Sequence, residues 1–299
     1  MQGHGVSSGE ALAAALAEAL GREVESLAGM AGGDLNDAYA ATLAGGSRVF
    51  VKTSPRVLPG TYRAEAEDLR WLAQPGELGV PNVVAVVDPE DVDAPGPRLL
   101  ALSMIDAGRL GGDGEAQLGR GLAAMHAAGA PTFGRDHPIR FGAFVIPSDP
   151  CDDWPSFYAT RRLEPVARAA RDRGALDARG AEAVARVCEQ IAELCGPPEP
   201  PARLHGDLWS GNVLADGAGR PYVIDPAAYG GHREVDLAML RMFGSPSQRC
   251  FDAYDEAHPL ADGHEDRVDL WQLFGLLVHA ALFGGSYGAG AARAAARYA

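Results

Sequence analysis

The stretch Leu204-His205-Gly206-Asp207-Leu208-Trp209-Ser210-Gly211-Asn212, followed after a short gap by Val223-Ile224-Asp225, constrains this chain more than any other feature. It sets an Asp, an Asn five positions later and a second Asp thirteen further on. Asp225 closes the β-like run Tyr222-Val223-Ile224, which places its carboxylate on a rigid element. An ordinary surface turn also collects Asp, Gly, Ser and Asn. A turn, however, does not call for a second Asp after a β-branched run at that distance. The fold has to bring two carboxylates and one amide together.

Three oxygen-bearing side chains in this order suit phosphoryl transfer from a nucleotide. One carboxylate orients or accepts the proton of the attacking hydroxyl, while an amide oxygen and a second carboxylate hold magnesium on the phosphates. The spacing His-x-Asp-x-x-x-x-Asn is that of a kinase catalytic loop. It assigns Asp207 as base and Asn212 and Asp225 as metal ligands.

Bulk properties agree with a soluble protein. A chain of 299 residues is long enough for one large domain or two lobes. Its 47% hydrophobic and 22% charged content is that of an ordinary globular protein. A formal net charge of −14 argues against a nucleic-acid partner, which needs clustered Lys and Arg. The acidity is compatible with an amine-bearing substrate. Cys151, Cys188, Cys195 and Cys250 form no C-x-x-C pair, so they read as reduced thiols instead of a zinc or redox site. The N-terminal Ala/Leu run lacks a preceding Lys or Arg and is interrupted by Glu18, unlike a signal peptide. The apolar stretch from Leu273 to Phe283 is broken by His279 and too short to span a bilayer. A cytoplasmic protein with no membrane partner is expected.

The first third reads as β-rich. Ser7 and Ser8 precede Leu12, Leu16 and Leu20, and Gly21 follows, a capped amphipathic helix. Strand-like residues then run from Val24 to Lys52, broken at Gly32-Gly33 and at Gly45-Gly46. The second break predicts a hairpin between Ala38–Leu43 and Arg48–Lys52. The first, taken alone, reads as a plain turn, although glycines there would also let backbone N–H groups approach phosphate oxygens. Val49-Phe50-Val51-Lys52 ends in a lysine that needs an acidic partner on a following helix if it is to hold phosphate. The segment from Tyr62 to Leu72 supplies that helix. Glu65, Leu69 and Leu72 share one face, so Glu65 points inward toward Lys52, whereas Glu67 and Asp68 are expected to be solvated. Pro75-Gly76 stops the helix. Two further strands are expected over Val83–Asp88 and Arg98–Ile105.

The segment from Leu102 to Asp106 leaves this half for a helical one. It places the lobe boundary there: residues 1–102, a connector over 103–106, and residues 107–299. The backbone groups of Ser103, Met104 and Ile105 are suited to an adenine edge. Helices are expected over Gln117–Ala128, Trp154–Arg173 and Ala181–Cys195. His126 reads as a satisfied structural residue, Arg161-Arg162 as a solvated pair, and Asp236, entering an apolar helix, as structural. Gly284-Gly285-Ser286-Tyr287-Gly288 matches a nucleophile elbow but follows a helical pattern, with no acid or histidine downstream. It is a decoy.

With these residues in hand, the chain resembles the fructosamine/ketosamine kinase family, a branch of the aminoglycoside-phosphotransferase-like kinases. The resemblance runs nearly end to end. It rests on Gly32-Gly33-Asp34-Leu35-Asn36, Phe50-Val51-Lys52, Tyr62-Arg63-Ala64-Glu65, Trp154-Pro155-Ser156-Phe157-Tyr158 and the stretch from His205 to Asn212. Ile224-Asp225-Pro226-Ala227, the run from Gly231 to Met239, and Leu282-Phe283-Gly284-Gly285-Ser286-Tyr287 reinforce it.

The resemblance implies a two-lobed α+β protein-kinase-like fold, with a small β-rich N-lobe and a larger α-helical C-lobe. It implies ATP and Mg2+ as cofactors and a ketosamine, small or protein-attached, as substrate. By resemblance Asp207 is the base, Asn212 and Asp225 bind the metal, and Lys52 contacts the phosphates with Glu65 positioning it. Gly32, Gly33, Ser103, Met104 and Ile105 complete the nucleotide site. Trp209 is placed to stack on a sugar face, with His232 and Glu234 as further substrate-side candidates.

Two departures stand out. Ser103 occupies a connector position that is usually acidic, and Asp34 stands in a turn where some relatives carry a cysteine, so no disulfide switch carries over. Two other activities fit the same motifs: a kinase for another amine-bearing small molecule, aminoglycoside- or choline-like, and a catalytically silent nucleotide-binding module.

Overall fold

A computed structural model of the protein describes residues 8–30, 36–141, 144–244 and 246–299; Gly32 and Gly33 lie outside them. The chain begins with α1 (Ser8–Leu20), then β1 (Val24–Met30), β2 (Asp37–Leu43) and β3 (Arg48–Thr53). α2 (Thr61–Ala73), β4 (Val83–Val87) and β5 (Leu99–Ser103) follow. The strands form one antiparallel sheet in the order β1-β2-β3-β5-β4, and the hairpin expected at Gly45-Gly46 joins β2 to β3.

Strand periodicity decides what each face of this sheet does. Val49, Val51, Leu99 and Ala101 pack with Leu12 and Leu16 of α1 on one face. Leu100 and Leu102 pack with Tyr62, Ala66 and Leu69 of α2 on the other, with Phe50 against them. Burying one such leucine contributes about 1.5–3 kcal/mol. Lys52 is paired with Leu100 across β3 and β5 and alternates in step with Phe50, so it falls on the α2 face. That is where Glu65 waits.

The larger lobe is helical. α3 (Gly112–Ala127) leads to the short strands β6 (Ile139–Phe141) and β7 (Phe144–Ile146). α4 (Trp154–Phe157), a π-helical turn over Tyr158–Leu163, and α5 (Glu164–Asp172) come next, followed by α6 (Ala178–Leu194). β8 (Ala202–Leu204), β9 (Val213–Ala215), β10 (Pro221–Val223) and β11 (Tyr229–Gly231) surround the predicted catalytic loop. α7 (Glu234–Arg241), α8 (Gln248–Ala257), α9 (Val268–Phe283) and α10 (Tyr287–Ala296) close the chain. The four cysteines are free, and no helix among the described residues is long and apolar enough to cross a membrane.

Three differences from expectation have physical causes. α3 starts at Gly112 instead of Gln117, through glycines that argue against helix. A Cβ at Gly114 would lie 2.5 Å from the Gly219 carbonyl oxygen, so close packing selects the glycine there. The helix expected over Trp154–Arg173 contains a π turn, and Arg162 within it is buried instead of solvated. Its guanidinium lies 3.9 Å from the centre of the Tyr229 ring and 4.5 Å from that of Phe157, and it donates to the Pro147 carbonyl at 2.7 Å. Aromatic faces and carbonyls thus replace water around a cation whose pKa burial pulls down. Asp68, expected in solvent, is 4% exposed, because α2 packs against the second lobe as well as the sheet.

Candidate active site

The catalytic loop is tied at its base. β8 pairs antiparallel with β11, Leu204 opposite Tyr229, so residues 205–228 form a closed excursion. Asp236, at the start of α7, holds the loop from beneath. It accepts from the His205 N–H at 2.6 Å and the Gly206 N–H at 2.9 Å. His126 lies 3.2 Å from the same carboxylate and 2.8 Å from the Tyr254 hydroxyl, the satisfied structural role expected of it. Gly206 adopts φ 81°, and a Cβ there would sit 2.0 Å from the Ala227 carbonyl oxygen. Only glycine fits.

His205 is fully buried, and burial lowers its pKa, so the imidazole is neutral. Its Nε2 donates to the Ile224 carbonyl oxygen at 2.9 Å while Nδ1 accepts from the Asp207 N–H at 3.3 Å. The histidine thereby links the loop carrying Asp207 to the strand end carrying Asp225.

Asp207 and Asn212 come together as predicted. The Asn212 amide donates to the Asp207 main-chain carbonyl at 2.8 Å and to its carboxylate at 3.1 Å. This turns the Asn212 amide oxygen away from Asp207, leaving it for a cation. Burial pushes the Asp207 carboxyl up to about 7, against the pull of the Asn212 hydrogen bond and with the charges of Asp225 and Asp236 adding to the rise. A carboxylate titrating there is suited to general-base work near neutrality.

Lys52 is buried and bridges two acids. Its Nζ lies 2.6 Å from Glu65 and 2.9 Å from Asp225. Burial alone would lower the Lys52 pKa, but the two carboxylates outweigh it and keep the ammonium charged. Burial pushes Glu65 upward, and Lys52 draws it back. The Asp225 side chain is 47% exposed, and only one of its oxygens meets Lys52. Asp225 has φ 54°, the one non-glycine residue with positive φ among those described, a strained conformation of the kind that clusters at functional sites.

The hard oxygen donors of Asn212 and Asp225 fit a magnesium ion that takes its remaining ligands from phosphates and water. The described residues contain no group of three or more His, Cys, Asp and Glu that could cage a metal on its own. The connector is equally suggestive. Ser103 is pinned to Asn82 through its N–H and hydroxyl, at 2.8 and 2.9 Å. β5 pairs with β3 as far as Ser103, opposite Val49, and the chain then enters the connector at Met104 and Ile105.

The three substrate-side candidates separate. Trp209 is partly exposed and meets Phe243 edge to face at 5.6 Å. Phe243 in turn approaches His279, which packs on Tyr287 and Phe283. His232 and Glu234 do not join them, a correction to the sequence reading. Both are 3% exposed. Glu234 gives its oxygens to Arg267 at 2.6 and 2.9 Å and to the Trp271 Nε1–H at 2.8 Å. His232 stacks on Trp271 at 5.2 Å. Buried charge demands such partners, and these two residues hold α7 to α9. The sequence signal for the aromatic group was available only in part: Phe243 and Tyr287 stand far from Trp209 in sequence, with no shared periodicity.

Comparison with known proteins gives this geometry a family. The fructosamine kinase family profile matches residues 9–298. A probable ketoamine kinase of Enterococcus faecium is 34% identical over 258 residues, covering 86% of this chain and 89% of that protein. A probable ketoamine kinase of Thermus thermophilus is 33% identical, covering 86% and 87%. A crystal structure from Thermobifida fusca assigned as a fructosamine-3-kinase superposes with a TM-score of 0.87 at 42% identity, covering 96% of this chain and 98% of that one. Spectinomycin phosphotransferase solved with ADP and spectinomycin shares the fold at a TM-score of 0.53 and 16% identity. The chain belongs to the fructosamine kinase family and is an ATP-dependent phosphotransferase with a two-lobed kinase-like fold.

Proposed function

We propose that this enzyme transfers the γ-phosphoryl group of ATP to a sugar hydroxyl of ketosamines, the fructosamine or ribulosamine adducts of amines, in the cytoplasm. The observation that carries the reading is the convergence of Asp207, Asn212, Asp225 and Lys52, the last two in direct contact. Asp207 accepts the proton of the attacking hydroxyl as the O–P bond forms and ADP departs. Lys52 holds the phosphates, with Glu65 fixing its direction. Asn212 and Asp225 would hold Mg2+, which when bound neutralises charge on the phosphate oxygens. The connector backbone at Ser103, Met104 and Ile105 is assigned to the adenine edge, and Gly32 and Gly33 to the phosphates. Positioning and electrostatics supply most of the acceleration.

Trp209, with Phe243 beside it, forms an apolar shelf on which a sugar ring or its amine substituent stacks. The acidic surface of the protein suits a substrate carrying a protonated amine. Phosphorylation makes the adduct prone to later breakdown, so the reaction serves deglycation.

The test is a panel of ribulosamines, fructosamines, aminoglycosides and choline, free and protein-attached, with ADP release and the phosphorylated product both measured. Turnover of a ketosamine with kcat/KM well above that of the other acceptors is expected. Preference for an aminoglycoside or choline would replace the substrate, and ADP release with no phosphorylated product would remove the transferase reading.

A further inference from the structure

We infer that Asp68 is a positioning residue that ties the Glu65-bearing helix to the chain segment presenting Asp225, and so sets the geometry of the metal carboxylate. The inference rests on the magnesium reading above.

α2 carries Glu65 and, one turn later, Asp68. Glu65 reaches Lys52, whereas Asp68 reaches the second lobe. Its Oδ2 accepts from the Ala228 N–H at 3.0 Å, bridging 160 residues of sequence. Ala228 lies three residues beyond Asp225. The stretch from Ile224 to Ala228 is also tied by the Ile224 N–H to the Asn212 carbonyl, by the Ala227 N–H to the His205 carbonyl and by the His205 Nε2–H to the Ile224 carbonyl, at 3.0, 2.9 and 2.9 Å. These three come from the loop that carries Asp207. Asp68 supplies the tie that comes from the helix of Glu65.

The other Asp68 oxygen is neutralised. Arg135 lies 3.1 Å away and His137 3.3 Å. The Arg135 guanidinium sits over the Trp71 ring at 4.2 Å, and the Arg135 main-chain N–H donates to the Ser148 carbonyl at 2.7 Å. Arg203, on β8 immediately before the catalytic loop, lies over the same ring at 4.7 Å and donates to the Trp71 carbonyl at 2.6 Å. The C-terminal half of α2 is therefore fastened to the lobe that carries Asp207 and Asp225, while its N-terminal half packs on the sheet.

A buried carboxylate with this many partners is poorly explained by solubility, for which an exposed acid suffices. It is well explained by Asp225. A non-glycine residue held at φ 54° persists only where its surroundings over-determine it. Anchoring Ala228 from α2 supplies one such restraint and couples it to the Lys52–Glu65 pair. Residues that orient a metal ligand in this way typically change metal affinity or activity about 10–100-fold when removed.

The experiment measures binding of a non-hydrolysable ATP analogue by calorimetry across a magnesium series, together with kcat and both KM values, for the wild type, Asp68→Ala, Asp68→Asn and Arg135→Gln. Asp68→Ala is expected to raise the magnesium concentration needed for half-maximal nucleotide binding about tenfold and to lower kcat with little change in KM for the sugar substrate. Asp68→Asn, which keeps an oxygen for the Ala228 N–H, recovers part of that loss; should the alanine variant not fold, it and Arg135→Gln carry the same readings. Wild-type magnesium dependence and kcat in the folded variants, whatever their melting temperatures, overturns the role of Asp68 alone. Nucleotide binding by the wild type that is indifferent to magnesium overturns both this inference and the metal reading beneath it.

Discussion

Lys52 and Asp225, 173 residues apart in sequence, meet at 2.9 Å, and this contact joins the sheet lobe to the helical lobe at the centre of the site. Because Lys52 also meets Glu65 at 2.6 Å, one ammonium holds α2 and the proposed metal-binding carboxylate of Asp225 together. Lys52→Met should therefore lower kcat/KM for ATP by about 100-fold or more, and Glu65→Gln by about tenfold, since the glutamine keeps shape but loses charge. Initial rates across an ATP series check the order of the two.

Asp207→Asn should reduce turnover by about 100- to 10,000-fold while ATP-analogue binding persists. A variant that still turns over at the wild-type rate would remove Asp207 from the role of base.

The Asp207 carboxyl titrates at about 7 in the folded protein, raised by burial. The base must be ionised, so kcat/KM falls as pH drops below about 7, with the acid limb absent from the residual activity of Asp207→Asn. Stability runs the other way. The folded state holds this proton more tightly than the unfolded chain, so the contribution is present below the unfolded carboxylate range and is lost as pH rises through 7. The melting temperature of Asp207→Asn should gain on that of the wild type between pH 5 and pH 8, which calorimetric scans at the two pH values test.

Asp236→Ala leaves two buried loop N–H groups, those of His205 and Gly206, without an acceptor. A destabilisation of about 3 kcal/mol is expected, with activity lost at temperatures where the wild type still works. Urea unfolding with the denaturant slope compared between variants measures it.

Trp209→Ala should raise KM for the sugar acceptor about tenfold and leave KM for ATP unchanged, because the proposed role of the ring is to stack on the acceptor. A change confined to ATP would relocate the tryptophan.

Much of this site was legible along the chain because its parts are local or periodic. Asp207 and Asn212 lie on one loop, and Asp225 follows a β-branched strand. Period-two alternation sets Lys52 on the face that helical spacing gives to Glu65. Those relationships follow from backbone geometry alone. Asp68 and Glu67 look alike on the same helix, yet only Asp68 meets a backbone N–H delivered from 160 residues away. Likewise Arg162 reads as a solvated cation and His232 and Glu234 as substrate-side groups until a π turn and the α7–α9 interface enclose them. The sequence by itself determined the β-rich first third, the spacing that brings Asp207 and Asn212 together, and the lysine–glutamate pairing. Only the tertiary structure decided which other charges are buried, because a charge is buried when distant parts of the chain supply its partners, and periodicity carries no record of what packs against a face.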